Sequence, residues 1–181
     1  MNEMYKLITT RHSCRNFSGR RVAKSDIEKI LDCGLSAPSA MNKQPWFFVV
    51  ITDCEVIKKL NTLAQKNFLE SKIDWRVKWA KMENFSPFYN PNALILICAE
   101  RRTPNAKNDC CFAVQNMTLM AQSMGINSCI VQDVCWAIDE SNQAEFGIPE
   151  NYEIYLALSL GYPKVINDNV KKIDGSKVKW L

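Results

Sequence analysis

Glycine is so sparse in this chain that its distribution alone removes whole classes of fold. The six glycines stand at 19, 34, 125, 147, 161 and 175, and the closest pairs are 14 residues apart. Neither the G-x-G-x-x-G turn of a dinucleotide-binding crossover nor the G-x-x-x-x-G-K-[ST] phosphate loop can be written anywhere. His12 is the one histidine, which excludes a helix presenting two imidazoles to zinc. The eight cysteines, at 14, 33, 54, 98, 110, 111, 129 and 135, include no C-x-x-C pair, so zinc ribbons, ferredoxin clusters and thioredoxin-type redox pairs fall away too. Several sit within apolar segments of a chain long enough to need no covalent staples, and they read as reduced core thiols. No metal site is expected. With no G-x-S-x-G elbow either, no side chain stands out as a nucleophile, and catalysis is expected to borrow the chemistry of a cofactor.

A chain of 181 residues, 47% hydrophobic, can bury one core, and a single domain over 1–181 is expected. Its net charge of +4, from 23 basic and 19 acidic residues, is too small for a dedicated nucleic-acid binder but leaves room for a basic pocket. The longest apolar runs, 46–51 and 93–99, are strand-sized, far short of a membrane span. Residues 1–10 carry Glu3 and Lys6 and lack the apolar stretch of a leader, so a cytoplasmic protein with no membrane partner is expected.

Residues 3–9 read as a short helix running into Arg11. Ser25 and Glu28 form an S-x-x-E pattern that predicts a capping box opening a helix through Leu35. Pro38 ends it, and the proline-bracketed segment 37–45 predicts an irregular loop leading straight into the buried strand 46–51. A loop held so firmly at one end suits a binding site. Asp53 caps a helix whose Val56, Ile57, Leu60, Leu63, Ala64 and Phe68 follow the 3.6-residue period. Between Phe68 and Tyr89 six aromatics alternate with Lys72, Arg76, Lys78 and Lys81. The mixture suggests an arm rather than core: either an amphipathic helix laid on its own domain or a flap lining a pocket for flat molecules. Strands follow at 93–99, 128–131 and 154–160. A helix over 109–124, apolar round most of its circumference and closed by Gly125, and a short helix over 140–146 complete the pattern.

Two segments carry the chemistry. Arg11, His12, Ser13, Cys14 and Arg15 alternate, so in extended backbone Arg11, Ser13 and Arg15 share one side while His12 and Cys14 take the other. Two guanidinium forks and a hydroxyl form a receptor for an oxyanion such as a phosphate. Asn42, in the second segment, offers a donor and an acceptor on one planar amide, the complement of a heterocycle edge that alternates C=O and N–H.

Taken in order, R-[RH]-S-x-R, a capped helix, A-P-S-x-x-N-x-Q-P-W entering a strand, a long helix ending at Gly125, Ile148-Pro149-Glu150 and finally Leu160-Gly161-Tyr162-Pro163 closely resemble the FMN-dependent nitroreductase family, from about residue 4 to residue 163. The resemblance implies an α+β sandwich, a mixed or antiparallel sheet flanked by helices, in an interlocked homodimer that holds FMN between its chains. It implies that Arg11 and Ser13 bind the FMN phosphate with His12 adjoining, that Arg15 lies near the N1 and C2 carbonyl edge, and that Asn42 bonds the pyrimidine ring. Pro38, Ser39 and Ala40 of the other chain would pack on the isoalloxazine, and Lys171 or Lys172 would assist at the phosphate. Where many members carry glycine-rich backbone after the long helix, this chain has Asn127, Val131, Gln132 and Asp133. A substrate flap is expected from 75–92 or 101–108. The implied activity is hydride transfer from NADH or NADPH through flavin N5 to a nitroaromatic, quinone or similar flat acceptor, in alternating half-reactions with no catalytic side chain. The alternatives are reductive dehalogenation or flavin fragmentation in the same fold, a noncatalytic flavin carrier, and a small single-strand-binding module.

Overall fold

A computed structural model describes residues 2–181. Four antiparallel strands, β1 (Trp46–Ile51), β2 (Ala93–Glu100), β3 (Asn127–Val131) and β4 (Tyr152–Gly161), form one sheet in the order β1-β2-β4-β3. Five helices accompany it: α1 (Glu3–Thr10), α2 (Lys24–Leu35), α3 (Cys54–Leu69), α4 (Asp74–Ala80) and α5 (Ala106–Ser123). β2 lies between two strands and is buried from Ala93 to Ala99, which is why it is an unbroken apolar run rather than an alternating one. One sheet face packs on α2 and α5 through Ile30, Met117, Ile95, Ile97 and Leu158; the other packs on α3 through Leu60, Ala64, Leu94 and Leu96.

Several expectations need correction. The helix after residue 23 forms, but its N-cap is Ala23 with no side-chain cap bond, so Ser25 and Glu28 fall inside the helix and make no capping box. The helix over 140–146 shrinks to one 3-10 turn, Gln143–Phe146. Asp139 accepts from the Ser141 backbone N–H, and Asn142 both accepts from Asp139 N–H and donates to Ala137 O; these local bonds take groups a helix would have used. Another 3-10 turn, Asp133–Trp136, follows β3 unannounced by any periodicity. The thiols are only partly core: Cys14, Cys98, Cys110 and Cys129 are buried, Cys33 is half-buried, and Cys54, Cys111 and Cys135 are exposed.

The aromatic segment after α3 is not a free arm either. Phe68 is fully buried, with the rings of Trp75, Trp79, Phe85 and Trp136 around it at 6.4, 5.8, 5.7 and 5.5 Å. α4 is thus an amphipathic helix laid on its own domain, against α3, the first of the two arrangements the composition allows.

Gly161 closes β4 where the N-terminal segment crosses it. A Cβ there would meet the Phe17 ring at 2.8 Å and the Asn92 amide at 2.9 Å. Phe17 is itself buried and bridges to Pro163, so neither neighbour can simply swing away. Gly161→Ala is expected to cost about 1–3 kcal/mol, read as a thermal midpoint lowered by several degrees.

Candidate functional site

The Arg11–Arg15 segment is fixed from three directions. α1 is tied to α5 where Gln122 Nε2 donates to Leu7 O (3.2 Å) and Thr10 Oγ1 (3.0 Å). The chain then leaves the helix in extended conformation at Arg11, and Ser13 forms a parallel bridge with Ser128 at the start of β3, with Cys14 N–H donating to Ser128 O at 2.9 Å. Farther on, Ser18 N–H donates to Tyr162 O (2.7 Å) and Lys164 N–H to Asn16 O (3.0 Å). The segment is thereby zipped along the β3 edge of the sheet.

Cys14 is buried, and His12 Nδ1 lies 3.2 Å from Thr10 O, a contact within its own turn. Cys129 on β3 neighbours Arg15, Ser13 and Arg11 and also Cys14: burial, with Cys14, pushes its thiol up, while Arg15, Ser13 and Arg11 draw it back. Arg11 is the unusual member. Its Nε and Nη2 are buried and have no hydrogen-bond partner, and burial pulls its pKa below the ordinary arginine value. An unmet, desolvated guanidinium is costly on its own, and an anion would satisfy it. Arg15 is exposed and lies 5.7 Å from the Tyr89 ring centroid, and hydrogen bonding to Tyr89 holds its pKa above the ordinary value.

Beside Arg15 opens a cavity of about 320 Å³ lined by Trp79, Asn84, Ser86, Tyr89 and Asn90. Tyr89 and Asn90 both have positive φ (63° and 48°), held by Ser86 Oγ, which accepts from Asn90 N–H at 3.0 Å and donates to Asn90 Oδ1 at 2.9 Å. Sequence reasoning marked this stretch as aromatic and as a candidate flap but missed its amides. Asn84, Ser86 and Asn90, recurring among the rings, were the available signal.

The second predicted segment lies elsewhere. Residues 37–45 hold a 3-10 turn, Ala40–Asn42, with left-handed backbone at Met41, Asn42 and Gln44. Asp109, buried on α5, accepts from Ala40 N–H with both carboxylate oxygens at 3.2 Å, and Asn42 Oδ1 accepts from Gln44 Nε2 at 3.1 Å. Asp109 is a positioning residue the sequence did not disclose. Pro38 and Asn42 are exposed, Ser39 and Ala40 half-buried. The loop feeds β1, at one edge of the sheet, whereas Ser13 lies on β3 at the other; three strand spacings, about 14 Å, separate those edges. The structure therefore groups Arg11, Ser13 and Arg15 and leaves Pro38, Ser39, Ala40 and Asn42 apart from them. Of the two tail lysines, Lys171 is the one whose backbone N–H reaches α1, donating to Thr9 O at 3.0 Å; Lys172 is exposed beside it. Among the described residues no helix is long and apolar enough to cross a membrane, and no cluster of three metal-ligating side chains occurs.

Comparison with known proteins bears on the family and the fold. The model of the Nitroreductase family matches residues 8–162. A protein of Archaeoglobus fulgidus, provisionally named an NADH dehydrogenase/NAD(P)H nitroreductase, is 34% identical over 172 residues, covering 91% of this chain and 87% of its own. An iodotyrosine deiodinase of Thermotoga neapolitana is 24% identical over 172 residues, covering 90% of each. Among solved structures, a nitroreductase with bound FMN from Bacteroides fragilis superposes with a TM-score of 0.92 over 100% of both chains at 25% identity.

Proposed function

This chain belongs to the nitroreductase family, and from that premise we propose that it is an FMN-dependent oxidoreductase acting as a homodimer. The observation that carries the cofactor assignment is Arg11: a half-buried guanidinium with two buried, unmet nitrogens, beside Ser13, in a fold whose relative from Bacteroides fragilis binds FMN. Arg11 and Ser13 would hold the phosphate, with Lys171 from the tail assisting. FMN held there would supply the redox chemistry, hydride transfer between NADH or NADPH and a nitroaromatic, quinone or similar flat acceptor. Arg15 would contribute a cation that favours acceptance of negative charge by the flavin ring, and the Asn84 amide and Asn90 Nδ2, whose neighbouring Oδ1 is taken by Ser86, would offer hydrogen bonds to a heterocycle edge. No side chain of this chain is asked to act as nucleophile.

Pairing of chains is supported by separation and by exposure. A site that uses both Arg11 and Asn42 takes them most simply from two protomers, because the sheet stands between them within one. Met4, Tyr5, Ile8, Leu35 and Phe112, on α1, α2 and α5, are all large apolar residues left exposed.

Anaerobic addition of NADH or NADPH to the flavin-loaded protein is expected to bleach the flavin, and a nitroaromatic or quinone to restore its colour; a flavin inert to both nicotinamides contradicts the assignment. The deiodinase relative makes reductive dehalogenation the second reading, and a halotyrosine included among the acceptors decides it. Arg15→Ala is expected to lower the flavin reduction potential while changing FMN affinity less than substitution of Arg11 does. Spectroelectrochemical titration beside a binding titration checks this, and equal effects of the two substitutions on affinity contradict the division of roles.

A further inference from the structure

We infer that Arg76 forms an anion-binding subsite for the acceptor, selecting flat aromatic acceptors that carry a carboxylate; the inference rests on the oxidoreductase reading above and names its substrate class.

The guanidinium of Arg76, on α4, lies 4.3 Å from the Trp136 ring centroid, 4.9 Å from that of Trp75 and 5.5 Å from that of Phe68. Its Nε is buried without a partner, and among the described residues no acid lies in ion-pair contact with it. Aromatic faces attract the cation, but they leave its in-plane N–H donors unanswered. A planar carboxylate is the group that answers them, two parallel bonds at a time.

Asp133 is the acid that feels Arg76, and the pair is held apart. Burial pushes the Asp133 carboxyl up and Arg76 draws it down, yet the two are not in contact. The protein thus keeps a guanidinium that its own carboxylate does not occupy. The position suits an acceptor subsite. β3 runs from Ser128, beside Ser13, for about 10 Å to Val131, and the turn carrying Asp133 and Trp136 continues from that end. Arg76 therefore stands at the end of the β3 edge remote from the Arg11 cradle. Trp79, whose ring stacks 6.4 Å from that of Trp75, also lines the cavity beside Arg15, so one aromatic wall joins the two places. Trp75 is 55% exposed, which leaves indole surface beside Arg76 for a flat ligand to contact.

The test compares 4-nitrobenzoate with 4-nitrobenzamide, which differ chiefly in charge. Dissociation constants are read by quenching of tryptophan fluorescence in the flavin-loaded protein, and kcat/KM by consumption of reduced nicotinamide. The wild type is expected to favour the carboxylate about tenfold in both. Arg76→Gln is expected to bring the ratio near one, Arg76→Lys to keep part of it, and Asp133→Asn, which removes a neighbouring negative charge, to raise it. A wild-type ratio near one, or a ratio unmoved in Arg76→Gln, overturns the subsite. If Arg76→Gln does not fold, Arg76→Lys and Asp133→Asn decide, since a merely structural role gives no opposite shifts. A flavin that neither nicotinamide bleaches counts against the oxidoreductase reading, and the fluorescence ratio then still supports or overturns the subsite by itself.

Discussion

Arg11→Met is expected to do two opposite things: raise the thermal midpoint of the flavin-free protein and weaken FMN binding by about a hundredfold or more. Both follow from the same two atoms. Nε and Nη2 of Arg11 are buried with no partner, and burial pulls the guanidinium pKa down, the signature of a charge held out of water without compensation. Each unsatisfied buried polar group costs on the order of 1–3 kcal/mol, and methionine fills the space of the aliphatic stem without that cost. The flavin-free variant should therefore gain about 1 kcal/mol or more. If Arg11 holds the phosphate as proposed, the same substitution in the loaded protein would remove up to two charge-assisted hydrogen bonds, each worth about 1.5–3 kcal/mol, hence the expected loss in affinity. Thermal denaturation of the deflavinated protein and a flavin fluorescence titration check the two halves. A destabilised flavin-free variant that binds FMN normally would show that Arg11 is a packing residue and not a ligand group.

Phe68→Ala is expected to be the most damaging single substitution outside the sheet. Phe68 is the hub that Trp75, Trp79, Phe85 and Trp136 all touch, and the guanidinium of Arg76 lies 5.5 Å from its ring. Truncation leaves a cavity that five flat groups cannot close without losing their mutual edge-to-face contacts. The expected cost is about 3–5 kcal/mol, with loss of the near-ultraviolet circular dichroism that ordered tryptophans produce. Chemical denaturation measures the first and spectroscopy the second. If the segment were a loose arm, stability would change by no more than about a few tenths of a kcal/mol and the near-ultraviolet signal would stay the same.

The strands were legible because their ends are chemically marked. Pro45 and Asp53 bracket the apolar run of β1, and the unbroken burial of β2 marks it as interior. Their order was not legible, since β1-β2-β4-β3 depends on pairings between residues as distant as Ala93 and Leu160. The oxyanion receptor was readable as alternation from Arg11 to Arg15, a local property. What fixes it is not local: the bridge to Ser128 and the bond from Gln122 join positions more than a hundred residues apart. Asp109 escaped notice for the same reason, being a helical acid whose partner, Ala40 N–H, lies 69 residues away. The capping box failed because the helix begins before Ser25, a shift that side-chain patterning alone does not detect.

The central claim is that Arg11 and Ser13 grip the phosphate of a flavin, and titrating the flavin-free protein with FMN and with riboflavin tests it most directly. Tight binding of FMN with riboflavin weaker by two orders of magnitude or more is the predicted result. Equal affinities for the two, or no uptake of either, would contradict it.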